Sequence, residues 1–374
     1  MSLATKFSAF VLIAATFINA SGQTTLKDAY KKHFLIGVAL NRNQFSEQDK
    51  RGADIVKKQF NSITPENVLK WEAVHPKLDQ YSFEAPDQCV AFGLKNKMFI
   101  IGHTLVWHNQ TPKWVFEDAD GKPLTREALL QRLRDHIHTV VGRYKGKIKG
   151  WDVVNEALNE DGTMRKTKWL EIIGEDYLAK AFQYAHEADP KAELYYNDYS
   201  LENEAKRNGA VALIKKLLAA KVPVNAIGLQ GHNRMTWPTL DQQDATISAF
   251  ASLGMKVNVT ELDIEMLPRD TQNLAADQTQ NIALNEKLNP YVKGLPESVQ
   301  REQAKRYAEL FGVYLKHKKS ITRVTFWGVT DGDSWLNDWP IRGRTNYPLL
   351  FDREVRPKPA FDAVIQTSKN LPAH

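Results

Sequence analysis

Short apolar segments of strand length alternate with longer amphipathic segments along most of this chain. Helical spacing is clear in residues 126–144, where Leu133, Ile137 and Val140 recur at intervals of four and three. The eight predicted strands are residues 34–40, 62–67, 98–108, 148–156, 193–198, 225–232, 256–264 and 323–329. Eight strands with helices between them predict an α/β fold, a (β/α)8 TIM barrel.

A doubly wound open sheet is the competing architecture for such an alternation. It is disfavoured because no glycine-rich phosphate loop follows the first predicted strand. Internal repeats, low-complexity tracts and Pro/Ser-rich linkers are also missing from the sequence. We therefore expect residues 23–374 to form a single domain.

Residues 1–22 have a different pattern from the rest of the chain. Lys6 precedes the apolar run 7–18, and small residues follow at 20–22. A dozen apolar residues are too few to span a bilayer of about 30 Å, so this segment predicts a secretory signal peptide. A buried N-terminal helix is the alternative. We expect export to the periplasm or the medium, with no membrane attachment after cleavage and no internal disulfide, because Cys89 is the only cysteine.

The charge of the chain changes this picture little. Its net charge is +6, but acidic and basic residues are interspersed, and the densest basic run, residues 316–319, is short. This distribution is typical of a solvated surface and does not indicate a nucleic-acid partner.

Candidate chemistry lies where predicted strands end in polar residues. Asn155 and Glu156 end the fourth strand, and Glu261 lies in the seventh. The carboxyl ends of barrel strands form the active-site mouth, so the two glutamates can face each other across a substrate. Opposed carboxyl groups suit hydrolysis of a glycosidic bond, because one protonates the leaving oxygen while the other attacks or stabilises the sugar cation. Buried structural ion pairs are the alternative.

The neighbours of these glutamates favour a sugar site. Trp107, Trp327 and Trp335 lie at or beyond other strand ends, where indole faces can stack on pyranose rings, although core packing would also explain a single tryptophan. Amide, carboxylate and amine groups that can bind sugar hydroxyls are present at Glu66, Asn67, Lys70, Gln110, Asn155, Asn197 and Gln230.

Three histidines raise the alternative of a metal site. His103, His108 and His232 lie near strand ends, but the sequence contains no HExxH motif and no Cys/His spacing typical of zinc. We therefore predict no metal.

Seven motifs follow one another in register with the predicted barrel: ENVLKW, GHTLVWH, WDVVNEAL, YYNDY, GLQGH, VNVTELDI and TFWGVTDGDSWL. In this order they resemble glycoside hydrolase family 10, the endo-β-1,4-xylanases, over nearly the whole mature chain. The resemblance implies hydrolysis of xylan and xylo-oligosaccharides with retention of configuration and no cofactor. We also expect a monomer. It makes Glu156 the acid/base and Glu261 the nucleophile. The sugar subsites would be lined by Glu66, Asn67, Lys70, His103, Trp107, Asn155, Gln230, His232, Trp327 and Trp335.

A support for the nucleophile is also predicted. Asp263 follows Glu261 by two residues, so both side chains fall on one face of a strand, and the resemblance puts His232 beside them. We expect His232 to bridge the two carboxylates and to keep Glu261 ionised. The alternative is that Asp263 only caps the following loop.

Two other functions are compatible with parts of the sequence. Related barrel endo-glucanases and mannanases share the two glutamates, whereas GHTLVWH and ENVLKW favour xylan. A catalytically inactive polysaccharide-binding barrel is the non-enzyme alternative, and the presence of both glutamates argues against it. The long polar connection at residues 267–295 departs from the simplest family pattern and is expected to shape outlying subsites.

Overall fold

A closed ring of parallel strands forms the centre of the molecule. The computed structural model describes residues 24–268, 284 and 286–369. Its strands are β1 (Leu35–Leu40), β2 (Ser62–Pro65), β3 (Phe99–Val106), β4 (Gly150–Asn155), β5 (Glu193–Asp198), β6 (Ala226–Leu229), β7 (His232–Arg234), β8 (Lys256–Glu265) and β9 (Ile321–Phe326). They pair in the order β6-β5-β4-β3-β2-β1-β9-β8, and β8 also pairs with β6. This last pairing closes an eight-stranded barrel, which confirms the predicted (β/α)8 fold.

Helices separate the strands. They are α1 (Leu26–Ala29), α2 (Arg42–Phe45), α3 (Lys50–Gln59), α4 (Trp71–Val74), α5 (Glu84–Lys95), α6 (Arg126–Arg143), α7 (Lys168–Ile173), α8 (Tyr177–Ala188), α9 (Glu204–Ala219), α10 (Leu240–Ala251), α11 (Glu297–Lys316) and α12 (Pro359–Thr367). The helix predicted at 126–144 is α6, which begins after the N-cap Thr125, and its Leu133, Ile137 and Val140 are buried. Because helices cover the outside of the ring, strands such as β4 are buried along their whole length.

The sixth predicted strand is interrupted in the structure. Residues 225–232 form one strand in the prediction, but β6 ends at Leu229 and β7 begins at His232. Between them Gly231 has a φ of +76°, and a side chain there would come within 2.9 Å of Val259. The break lets β7 pair with β8 in a register that sets His232 opposite Asp263.

Some predictions fall outside the described residues. The predicted signal peptide, residues 1–22, is one of them, and so is most of the 267–295 connection. The described end of that connection contains a short 3-10 turn, Glu286–Leu288, and α11 follows after Pro296. Within the described ranges, no helix is both long and apolar enough to cross a bilayer.

Candidate active site

A cleft of about 420 Å³ opens at the carboxyl ends of the barrel strands. The predicted site residues that line it are Glu66, Asn67, Lys70, His103, Trp107, Gln110, Asn155, Glu156, Gln230, His232, Glu261, Asp263, Trp327 and Trp335. Asn197, which was predicted as a hydrogen-bonding group, lies buried beneath them.

The Glu156 carboxylate accepts hydrogen bonds on both of its oxygens. Trp107 Nε1 donates to Oε2 at 2.8 Å, and Gln230 Nε2 donates to Oε1 at 2.9 Å. The backbone of Glu156 has a φ of +59°, a left-handed conformation that costs a non-glycine residue about 1 to 3 kcal/mol. Strain of this kind is concentrated at functional sites, and here it turns the side chain out of the strand into the cleft.

An amide bridge joins the two glutamates. Asn155 Nδ2 donates to Glu156 Oε1 at 3.2 Å, and its Oδ1 accepts from Asn197 Nδ2 at 2.8 Å. The same Asn197 nitrogen donates to Glu261 Oε1 at 2.8 Å. Thr260 Oγ1 in turn donates to Asn197 Oδ1 at 2.6 Å, which fixes the orientation of the amide. The two carboxylates are therefore held in a fixed relative orientation by the Asn155 and Asn197 side chains.

His232 lies between Glu261 and Asp263. Its Nε2 is 3.1 Å from Glu261 Oε2 and its Nδ1 is 3.1 Å from Asp263 Oδ2. Both ring nitrogens can donate only when the imidazole is doubly protonated. Burial favours a lower pKa, but Asp263 and Glu261 outweigh it and raise the pKa of His232 to about 10. Trp335 Nε1 donates to the same Asp263 oxygen at 2.8 Å.

The charged His232 ring determines the ionisation of Glu261. Burial by itself raises the pKa of the Glu261 carboxyl, but the hydrogen bond from His232 and the nearby His103 outweigh it. The pKa of Glu261 is therefore below the usual value, and the carboxylate is ionised at neutral pH.

On the opposite side of the cleft His103 is fixed by another carboxylate. His103 Nδ1 lies 2.9 Å from Asp152 Oδ2, and both side chains are buried. The imidazole also packs edge-on against Trp327, with ring centroids 5.3 Å apart. Within the described residues no group of three His, Cys, Asp or Glu side chains is placed to hold a metal ion.

One end of the cleft carries a group of charged and amide side chains. Lys70 Nζ donates to Asn67 Oδ1 at 2.8 Å and lies 5.1 Å from the centre of a Trp107 ring. Burial raises the pKa of Glu66 and lowers the pKa of Lys70. These groups at the ends of β2 and β3 can bind several sugar hydroxyls at once.

Sequence reasoning missed part of the cleft wall. The missed lining residues are Tyr199, Ser200, Asn233, Arg234, Trp237, Glu265, Asp338 and Trp339. A signal existed for some of them: Tyr199 directly follows β5, and Glu265 lies two residues beyond Asp263 on β8. Trp237 and Trp339 lie on irregular connections, where no periodic pattern marks them. Trp339 stacks on Trp335 with ring centroids 4.9 Å apart.

Replacing His232 by alanine is expected to move the acidic limb of the kcat/KM profile to higher pH. The variant removes a positive partner and leaves buried Glu261 beside Asp263, so the pKa of Glu261 rises. The predicted nucleophile must be ionised to attack, so activity is then lost at a higher pH. Initial rates from pH 3 to 8 on a soluble substrate measure the shift. His138→Ala is the control, because His138 pairs with Glu187 at an exposed position. An unmoved acidic limb would contradict the support role.

Two buried glutamates at the mouth of a (β/α)8 barrel, in an open cleft lined by tryptophan and amide side chains, have the arrangement that glycoside hydrolysis requires. The model of glycosyl hydrolase family 10 matches residues 25–367. The chain belongs to glycosyl hydrolase family 10, which confirms the resemblance found in the seven motifs.

Individual relatives agree with this membership. Endo-1,4-beta-xylanase A of Xylanibacter ruminicola is 46% identical over 362 residues, covering 97% of this chain and 98% of that protein. The solved structure of a GH10 endoxylanase from a sugarcane soil metagenome has a TM-score of 0.88 and 46% identity, covering 91% of this chain and 99% of that one. Xylanase XynB from Paenibacillus barcinonensis, solved in complex with a conduramine derivative, has a TM-score of 0.83 and 41% identity, covering 91% and 98% of the respective chains.

Proposed function

We propose that this protein is an endo-acting 1,4-β-xylanase that retains the configuration of the cleaved sugar. The observation that carries the proposal is the pair Glu156 and Glu261, linked by one amide bridge across an open cleft. The cleft is lined from the ends of β2 and β3 to those of β5 and β6. A sugar chain can therefore pass over both carboxylates and extend beyond them in each direction, as internal cleavage requires.

Glu261 acts first, as the nucleophile. Its ionised carboxylate attacks the anomeric carbon and forms a glycosyl ester, while the bond to the leaving oxygen breaks. Asn197 and His232 each donate to one of its oxygens, so the carboxylate has a fixed direction before the substrate binds. Groups held in their reactive geometry need little reorganisation in the transition state.

Glu156 acts in both steps. As a carboxylic acid it protonates the leaving oxygen, and as a carboxylate it then takes a proton from the water that hydrolyses the ester. Retention requires carboxyl groups about 5 to 5.5 Å apart, whereas inversion needs about 6.5 to 9.5 Å to admit a water. A retaining mechanism therefore predicts the closer spacing for Glu156 and Glu261.

Xylan is the substrate that the sequence and the relatives favour. The motifs that contain Glu66 to Lys70 and His103 to Trp107 form one end of the cleft. The three relatives above are all described as xylanases. Assays on xylan, β-glucan and mannan side by side test the substrate class, and we expect the highest kcat/KM on xylan. A preference for β-glucan or mannan would contradict the proposal.

The stereochemical outcome tests the mechanism independently of the substrate. Double displacement at one carbon restores the original configuration, so NMR of the first-formed product should show the β-anomer before mutarotation. Hydrolysis of xylo-oligosaccharides in deuterated buffer gives this measurement. A first-formed α-anomer would mean that Glu261 acts as a base on water rather than as a nucleophile.

A further inference from the structure

The backbone of Glu156 is held from two directions. Its N–H donates to the Asn197 carbonyl oxygen at 2.9 Å, and its own carbonyl oxygen accepts from Arg165 Nε at 3.1 Å. A left-handed conformation persists only where surrounding contacts determine it. The Arg165 guanidinium is therefore one of the groups that keep the Glu156 side chain aimed into the cleft, although it binds only the backbone of that residue.

Arg165 is fixed in turn by the hairpin that follows Glu156. Leu158 and Met164 form a bridge between the two arms of this hairpin, and the Arg165 N–H donates to the Ala157 carbonyl at 2.8 Å. From this base Arg165 Nη2 donates to the Leu158 carbonyl at 3.1 Å. One guanidinium thus holds the carbonyl oxygens on both sides of Ala157, which its planar array of donors allows.

The outer edge of Arg165 is held by Tyr199. Nη2 donates to the Tyr199 hydroxyl at 2.7 Å. Below the tyrosine, Lys206 Nζ lies 3.4 Å from the ring centre and 3.0 Å from Asp198 Oδ1. The side chains of Lys206 and Asp198 are fully buried. A cation against the ring face and a fixed hydroxyl leave Tyr199 little freedom, so it is a rigid support for the guanidinium.

We propose that Arg165, supported by Tyr199, is a positioning residue for Glu156. The proposal rests on the acid/base role proposed for Glu156 and adds the group that directs it. Proton transfer needs the carboxyl within hydrogen-bond reach of the leaving oxygen, and a displacement of about 1 Å costs on the order of 10²-fold in rate. Loss of Arg165 should therefore slow the hydrolysis of substrates whose leaving group must be protonated. It should spare substrates whose leaving group needs no proton.

The leaving-group dependence of kcat/KM tests this role. Aryl β-xylobiosides whose phenols range from dinitrophenol to phenol require increasing help from a general acid. For Arg165→Met we expect little loss on the dinitrophenyl substrate and a loss on the order of 10²-fold on the phenyl substrate. Arg165→Lys retains a donor and should recover part of the rate. Tyr199→Phe removes only the hydroxyl and should act in the same direction, to a smaller extent.

Arg132→Met is the matched control. Arg132 is also half-buried and donates to two main-chain carbonyls, those of Trp114 and Glu117, but it lies away from Glu156. Its loss should leave the leaving-group dependence unchanged even if the melting temperature falls. Should Arg165→Met fail to fold, Arg165→Lys and Tyr199→Phe carry the same test, with thermal melts confirming that each variant is native.

Glu156→Ala in the same substrate series separates two kinds of failure. If Glu156→Ala is steeply dependent on the leaving group and the Arg165 variants lose activity uniformly or not at all, the positioning role is overturned. If Glu156→Ala shows no such dependence, the acid role of Glu156 is wrong, and the positioning role falls with it. A steep dependence in both Glu156→Ala and Arg165→Met is the result expected.

Discussion

Glu261→Ala is expected to abolish turnover on every substrate, with kcat reduced by a factor on the order of 10⁴ to 10⁶, as for other catalytic nucleophiles. The loss should be the same on xylan and on activated aryl xylosides, because a better leaving group does not replace a missing nucleophile. The neighbouring carboxylates cannot substitute for it: His232 and Trp335 hold Asp263, and Trp107 and Gln230 hold Glu156. Initial rates on both substrate types measure the effect.

Glu193→Ala provides the control for this variant. Glu193 is also a strand glutamate, partly buried, but it lies at the opposite end of the barrel, where it pairs with Lys256 and accepts from the Tyr195 hydroxyl. Its loss should lower thermal stability and leave kcat nearly unchanged, because the active sites of such barrels lie at the opposite face. If Glu261→Ala behaved like Glu193→Ala, Glu261 would be the structural ion-pair residue of the alternative interpretation.

The barrel could be predicted because its pattern is repeated eight times. A buried parallel strand is apolar along its length, and an amphipathic helix has a period of 3.6 residues. Each strand and helix can therefore be recognised from its own residues. Strand ends were less certain. The prediction placed Glu156 inside the fourth strand, but the strand ends at Asn155 and Glu156 turns into the left-handed region. No local pattern indicates that turn, because contacts from Asn197 and Arg165 impose it.

The site could be predicted where its residues follow from strand geometry. Glu261 and Asp263 share a face of β8 because they are two residues apart, and this places both beside His232. Residues brought in by long connections gave no such signal. Trp237 follows β7 on a loop, and Trp339 reaches the cleft by stacking on Trp335.

The hydrogen-bond acceptors of the tryptophan N–H groups could not be predicted from the sequence either. Trp107 Nε1 donates to Glu156, and Trp335 Nε1 donates to Asp263. The indole N–H groups therefore orient carboxylates, while the ring faces remain the surfaces on which a sugar can stack. Only the folded structure shows these hydrogen bonds, because Trp107 and Glu156 are 49 residues apart in the sequence and Asp263 and Trp335 are 72 residues apart.

In Glu156→Ala the loss of activity should depend on whether the leaving group of the substrate needs a proton. Hydrolysis of xylan should fall by about 10² to 10⁴-fold, the usual contribution of a general acid, whereas formation of the glycosyl ester from a dinitrophenyl xylobioside should be largely spared. The ester then accumulates, because no carboxylate activates water for the second step. A rapid burst of dinitrophenol followed by a slow steady rate is the expected record in stopped-flow measurements.

Azide completes the test, because it attacks the ester without a general base. In Glu156→Ala it should restore the steady rate and yield the β-glycosyl azide, since attack on the α-linked ester inverts the configuration a second time. In Glu261→Ala no ester forms, so any azide product must arise by direct displacement and carry the α-configuration. The anomer of the azide therefore identifies which glutamate is the nucleophile. An α-azide from Glu156→Ala, or equal losses on xylan and the dinitrophenyl substrate with no azide effect, would contradict the assignment of the two roles.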